Sequence, residues 1–244
     1  MSWTEAVNLE GRVALVTGGS EGIGLAIVRE LARAGARVVL TSRSRERAEA
    51  AAAGCEGDVT GQACDVRDEA SIDTLIRTID DRFGRLDIVV NNAGLGVFKP
   101  IQEMTADEWR LQVETNLNGV FLTSKAALPL LRKAGADGEG DAWIINIGSL
   151  ASRNSFGNGV GYNASKFGLL GMTEAMMIDL RHEGIRTSII MPGSVNTHFN
   201  DHDGSRDWAI QPEDVARSVL QLVAYPTHTL VSRIEMRPSR PPRT

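Results

Sequence analysis

The chain has 244 residues, 42% hydrophobic and 23% charged, enough for one large domain with an ample core. A net charge of -5 argues against a nucleic-acid footprint, which would need a basic face, and no apolar stretch approaches the ~20 residues that span a bilayer. Cys55 and Cys64 have no second cysteine pair to complete a zinc site. Residues 1–11 carry Glu5 and Glu10 without an apolar signal core, so a soluble cytoplasmic protein with reduced thiols is expected.

In chain order, short β-branched runs alternate with longer amphipathic stretches. Strands are predicted at residues 13–17, 37–41, a weak one at 61–64, then 86–90, 142–147, 186–191 and 229–234. Several are apolar without alternation, as strands covered on both faces of a parallel sheet must be. Helices are predicted at 22–34, 44–53, 68–83, 105–134, 161–183 and 212–224. Thr105-Ala106-Asp107-Glu108 reads as a capping box, and Pro212 followed by Glu213 and Asp214 suits a first helical turn. Strict alternation predicts an α/β, doubly wound parallel sheet of Rossmann type with helices on both faces. With no repeat and no linker-like shift in composition, residues 1–244 read as a single domain. The Pro- and Arg-rich segment 237–244 is expected to be a loose tail.

Three clusters carry chemistry. Thr17-Gly18-Gly19-Ser20-Glu21-Gly22-Ile23-Gly24 stands between the first strand and the first helix. Glycines there allow a tight turn and let backbone N–H groups approach a diphosphate at a helix N-terminus. After the second strand, where NAD sites place a carboxylate for the ribose 2′-OH, the chain reads Thr41-Ser42-Arg43-Ser44-Arg45. Arg43 can pair with a 2′-phosphate, so NADP(H) is favoured over NAD(H). Glu21 acts in the opposite sense.

Tyr162 and Lys166 form the third cluster, one helical turn apart and on one face, with Ser149 thirteen residues before the tyrosine. An unperturbed phenol titrates near pH ~10, and a neighbouring ammonium lowers that value toward the working range. Ser149, arriving from another strand, could hold a carbonyl oxygen against the phenol.

With their order, these motifs resemble the short-chain dehydrogenase/reductase family, single-domain type, over residues 11–238. The glycine loop is similar to the family's TGxxxGIG, which implies that Gly18, Ser20, Glu21 and Ile23 line a cofactor. Asp65 and Val66 resemble the pair at the adenine ring, and Asn91-Asn92-Ala93-Gly94 resembles the NNAG segment that stabilises the sheet and lines the cofactor site. Met191-Pro192-Gly193-Ser194-Val195-Asn196-Thr197 resembles the segment beside the nicotinamide, placing Val195 and Thr197 there. The resemblance implies a catalytic tetrad of Asn116, Ser149, Tyr162 and Lys166. Tyr162 would be the acid/base, Lys166 would tune it and hold the nicotinamide ribose, Ser149 would polarise the carbonyl, and Asn116 would hold a water linking Lys166 to solvent.

The implied activity is NADP(H)-dependent interconversion of a small-molecule carbonyl and an alcohol. A 3-oxoacyl-carrier-protein reductase is one special case, and a non-catalytic NADP(H)-binding regulator is the alternative of another class. The segment His198-Phe199-Asn200-Asp201-His202-Asp203 is short and polar, suggesting an open mouth. It reads as a lid rather than a metal site, and residues 95–100 read as the opposite rim. The family's DGG ending is replaced by residues 232–238, which points to a homodimer rather than a homotetramer. The helices 105–134 and 161–183 are the implied contact faces, with Phe121, Leu122, Leu169, Leu170, Met172 and Met176 as candidate apolar surface.

Overall fold

Apolar runs without alternation need cover on both sides, and the computed structural model, which describes residues 7–136, 142–197, 199 and 206–242, shows that cover. Among the described residues, the strands are β1 (Val13–Val16), β2 (Arg37–Ser42), β3 (Val59–Ala63), β4 (Ile88–Asn91), β5 (Ala142–Ile147), β6 (Ile185–Pro192) and β7 (Arg233–Met236). They form one sheet in the order β3-β2-β1-β4-β5-β6-β7, and every pairing is parallel.

Along β1 the pleat sends successive side chains to opposite faces. Ala14 and Val16 join Ile27 and Leu31 of α1 (Gly22–Arg33) and Val215 and Val219 of α7 (Pro212–Ala224). Val13 and Leu15 instead join Leu75 and Ile79 of α3 (Glu69–Phe83) and Leu130 and Leu131 of α5 (Gly119–Gly135). The remaining helices are α2 (Arg45–Ala53), α4 (Ala106–Val113) and α6 (Val160–Leu180). This is the doubly wound sheet expected from the sequence. Its strand order reverses between β1 and β4, where the two connections leave in opposite directions and open a crevice beyond the strand ends.

Three elements depart from expectation. The continuous helix expected at 105–134 begins at the predicted capping box, with Thr105 Oγ1 accepting from the Glu108 amide at 3.2 Å. A π-helical turn, Glu114–Asn118, then divides it into α4 and α5. That wider turn points the Asn116 carboxamide into the protein, where it binds the Leu95 backbone. The helix expected to reach 183 ends at Leu180 and tightens into a 3-10 turn, Arg181–Glu183. The last strand, expected at 229–234, lies at Arg233–Met236 instead. The backbone at 225–231 is held by side chains, Arg186 Nη1 donating to the carbonyls of Tyr225, Pro226 and Thr229 and the Ser188 hydroxyl to that of Val231, before the Ile189 amide takes the Ser232 carbonyl at 3.0 Å. Of the apolar residues expected on a contact face, Leu169 is buried in the core, while Phe121 is 49% exposed.

One buried carboxylate ties the lower ends of β1 and β4. Asp87 accepts hydrogen bonds from Arg85 at 2.6 Å, Arg12 at 2.8 Å and the Val13 amide at 2.8 Å. Burial alone would raise its pKa, but the donors from Arg85, Arg12 and Val13 outweigh that and hold it below the ordinary carboxylate range. Such a group stabilises the fold above its unfolded pKa of ~3.9, and the contribution disappears as pH falls through the folded value. Asp87→Asn is therefore expected to cost about 2–4 kcal/mol in urea unfolding at pH 7, with the difference narrowing below pH ~4. A cost below about 0.5 kcal/mol at pH 7 would contradict this role.

Candidate active site

The crevice at the β1/β4 reversal is a cleft of about 1110 Å³. Side chains just beyond the strands hold its floor. Thr17 Oγ1 accepts from the amides of Asn92 and Ala93, both at 3.1 Å, and the Asn92 carboxamide donates to the carbonyls of Thr17 at 3.0 Å and Gly18 at 2.9 Å. The glycine loop is thereby pinned to the Asn-Asn-Ala-Gly segment. Gly24 shows how tight this packing is: a Cβ there would lie 2.2 Å from the Gly18 carbonyl oxygen and 2.5 Å from Asn92 Nδ2. Deeper in the sheet, Asn91 Nδ2 donates to Asn146 Oδ1 at 2.9 Å and to Ser124 Oγ at 3.0 Å. Asn146 Nδ2 donates to Thr173 Oγ1 at 2.8 Å, so a buried polar chain joins α5, β4, β5 and α6.

Ser149, Tyr162 and Lys166 meet at one end of the cleft. Ser149 follows β5 as the cap of a short 3-10 turn, its hydroxyl accepting from the Ala151 amide at 3.1 Å. Tyr162 and Lys166 lie in the first two turns of α6. Burial pushes the Tyr162 phenol above its ordinary pKa, and a hydrogen bond with Ser149 pulls it part of the way back. Burial also lowers Lys166, from 10.5 to about 8. The lysine Nζ donates to the Ile147 carbonyl at 2.9 Å and lies 5.8 Å from the Tyr162 ring centroid. Burial and Ser149 set the direction of the Tyr162 shift, and the Lys166 ammonium is directed at a backbone carbonyl.

Asn116 does not line the cleft but braces it from behind, fully buried. Its carboxamide takes the Leu95 amide at 2.9 Å and gives to the Leu95 carbonyl at 2.8 Å and to Ser165 Oγ at 3.0 Å. Its Oδ1 and Lys166 Nζ both approach Gly94, lying 3.2 Å and 3.7 Å from where a Cβ would stand.

The other end of the cleft is cationic. Every residue expected at a cofactor lines it: Gly18, Ser20, Glu21, Ile23, Arg43, Asp65, Val66, Asn92, Ala93, Gly94, Val195 and Thr197, with Tyr162 and Lys166 at the far end. Arg47 and Arg67 also line it, and sequence reading missed both. Arg47 stands one helical turn beyond Arg43, and Arg67 two residues beyond Asp65, spacings that could have shown them. Arg67 grips Asp65, Nη2 to Oδ2 at 2.6 Å, and its hydrogen bonds hold the carboxyl below its ordinary pKa despite partial burial, with Arg43 adding to the effect. Thr41 and Thr115 also line the cleft. A long cleft with three guanidinium groups at one end and a glycine loop beside it fits a phosphorylated dinucleotide. Arg237, the first residue of the expected tail, lines the cleft and pairs with Glu235 at 3.3 Å. His198, Asp201, His202 and Asp203, read as lid rather than metal ligands, lie outside the described residues.

Residues 12–208 match the family model described as short chain dehydrogenase. The chain is 36% identical over 191 residues to the 3-oxoacyl-[acyl-carrier-protein] reductase of Escherichia coli, covering 78% of this chain and 76% of that protein. It is also 36% identical over 208 residues to the D-threitol dehydrogenase of Mycolicibacterium smegmatis, covering 83% and 78%. Among solved structures, a metagenomic short-chain oxidoreductase in complex with NADP superposes with a TM-score of 0.83 at 35% identity, covering 96% of this chain and 99% of that one. The chain belongs to the short-chain dehydrogenase family.

Proposed function

We propose that the protein is an NADP(H)-dependent oxidoreductase that interconverts a carbonyl and a secondary alcohol. The carrying observation is that Ser149, Tyr162 and Lys166 converge at one end of a cleft whose other end is lined by Arg43, Arg47 and Arg67. A solved relative of the same fold, in complex with NADP, supports the reading. When bound, the dinucleotide supplies the hydride. The chain's own residues do the rest.

Ser149, with its hydroxyl fixed by the Ala151 amide, orients the substrate oxygen. Tyr162 donates the proton to that oxygen as negative charge develops on it. Its raised pKa keeps the phenol protonated at neutrality, which suits it as the acid in the direction of reduction. Lys166, poised at about 8, can replace that proton near neutral pH, and Asn116 holds the Gly94–Leu95 backbone beside it. Arg43 takes the 2′-phosphate through charge-assisted hydrogen bonds. Two relatives equally identical to this chain carry names with different substrates, so overall identity does not choose the substrate. We place the enzyme in the cytoplasm and read it as a homo-oligomer, the latter supported by the exposed rings of Phe121 on α5 and Phe167 on α6.

Tyr162→Phe is expected to lower kcat at least ~10²-fold while NADPH affinity, measured by fluorescence titration, stays within about threefold. Retained turnover would refute the tyrosine's role. Arg43→Ala is expected to weaken NADPH binding about tenfold or more and NADH binding little, and equal losses would overturn the cofactor assignment. Lys166 also carries a stability cost. A lysine whose folded pKa is depressed is least favourable to the fold below that value, and the cost shrinks as pH rises from the folded toward the unfolded pKa. Lys166→Met should therefore stabilise the protein by up to about 3 kcal/mol at pH 7. The gain should diminish above pH 8. A destabilised variant at pH 7 would show that the ammonium is fully compensated by its surroundings.

A further inference from the structure

The walls around Tyr162 are aromatic. The Phe98 ring stands edge-on to Tyr162 at 5.4 Å between centroids, Phe199 lies at 6.0 Å, Phe156 at 6.4 Å, and Phe98 and Phe156 are 5.6 Å apart. All three phenylalanines line the cleft, and Phe156 and Phe199 remain 46% and 41% exposed at its mouth. Exposed rings gathered around one reactive hydroxyl differ from the scattered surface apolar residues of an ordinary protein.

The box is built, not incidental. The Phe156 ring sits over Gly159, where a Cβ would come within 2.6 Å of it, and Phe98 sits over Gly96 at the same 2.6 Å. A backbone hydrogen bond from the Lys99 amide to the Asn158 carbonyl at 2.8 Å ties the two ring-bearing loops together. Asn163, the neighbour of Tyr162, accepts from the Phe156 amide at 3.3 Å and donates to the Ala151 and Asn154 carbonyls at 2.9 Å and 3.2 Å. The rings are thus fixed to the helix that carries the proton donor. The described carboxylates lining the cleft, Glu21 and Asp65, belong to the glycine loop and the arginine-lined end.

Resting on the carbonyl-reductase reading, we propose that the substrate is an aryl-bearing ketone. Its ring is held among Phe98, Phe156 and Phe199 while its carbonyl oxygen meets Ser149 and Tyr162. Offset or edge-to-face aromatic contacts favour a flat π-system over a saturated ring of equal size.

The test compares benzylacetone with its ring-hydrogenated counterpart, two ketones of equal heavy-atom count whose carbonyls are both unconjugated. With NADPH, kcat/KM for benzylacetone is expected to exceed that of the saturated ketone by on the order of tenfold. Phe98→Leu and Phe156→Leu, which keep apolar bulk, should each bring that ratio toward one. Ligand-observed NMR on the Tyr162→Phe protein should show benzylacetone binding through its aryl protons, a readout independent of turnover. A ratio at or below one, or turnover of β-ketoacyl thioesters with neither ketone accepted, would overturn the aryl proposal and leave the reductase reading standing. Failure to oxidise NADPH with any ketone, aldehyde or thioester would overturn both.

Discussion

The site depends on a clamp of four hydrogen bonds between the ends of β1 and β4. Thr17 and Asn92 exchange them at the point where the sheet's connections diverge, so the gap there neither closes nor drifts. Both residues are already committed, one hydroxyl to two amides and one carboxamide to two carbonyls. The glycine loop then has no freedom to fill the crevice, and its close contacts at Gly24 leave the cleft as the open volume above it. The glycine loop and the Asn92–Ala93 segment inherit their positions from this clamp.

A second constraint lies deeper. The chain Ser124–Asn91–Asn146–Thr173 crosses the sheet under the site, each bond between buried partners. Asn91 Oδ1 has no partner among the described residues, so the chain holds through its three donated bonds, each strengthened by the low-dielectric interior. The network therefore fixes α5 and α6 against β4 and β5. Because α6 carries Tyr162 and Lys166, the alignment of Tyr162 with Ser149 at the end of β5 follows from it. Burial then tunes the groups so aligned, raising the phenol and lowering the lysine to about 8.

Much of this was legible in residue order. Apolar strands without alternation announced a sheet covered on both faces, and the spacing of Ser149, Tyr162 and Lys166 announced a hydroxyl beside a phenol. The π turn at Asn116 was not legible, because helical periodicity runs through it unbroken and the partners of its carboxamide, Leu95 and Ser165, lie far away in sequence. The shift of the last strand was hidden for a similar reason: residues 229–232 have strand-like chemistry, but Arg186 and Ser188 reach across from β6 and take the carbonyls of Thr229 and Val231. Arg67 joined the cleft through a local pair with Asp65 that composition does not reveal. The aromatic box was invisible because Phe98, Phe156 and Phe199 come from three separated loops, and their meeting requires the fold.

The central claim is that hydride passes within this cleft to a carbonyl carbon beside Tyr162. Incubation with NADPH deuterated at the transferring position of the nicotinamide, followed by mass spectrometry of the alcohol formed from a ketone, tests it most directly. Quantitative arrival of one deuterium at the carbinol carbon, with a single configuration there, is the predicted result. Tight NADPH binding without deuterium transfer to any carbonyl substrate would contradict the account.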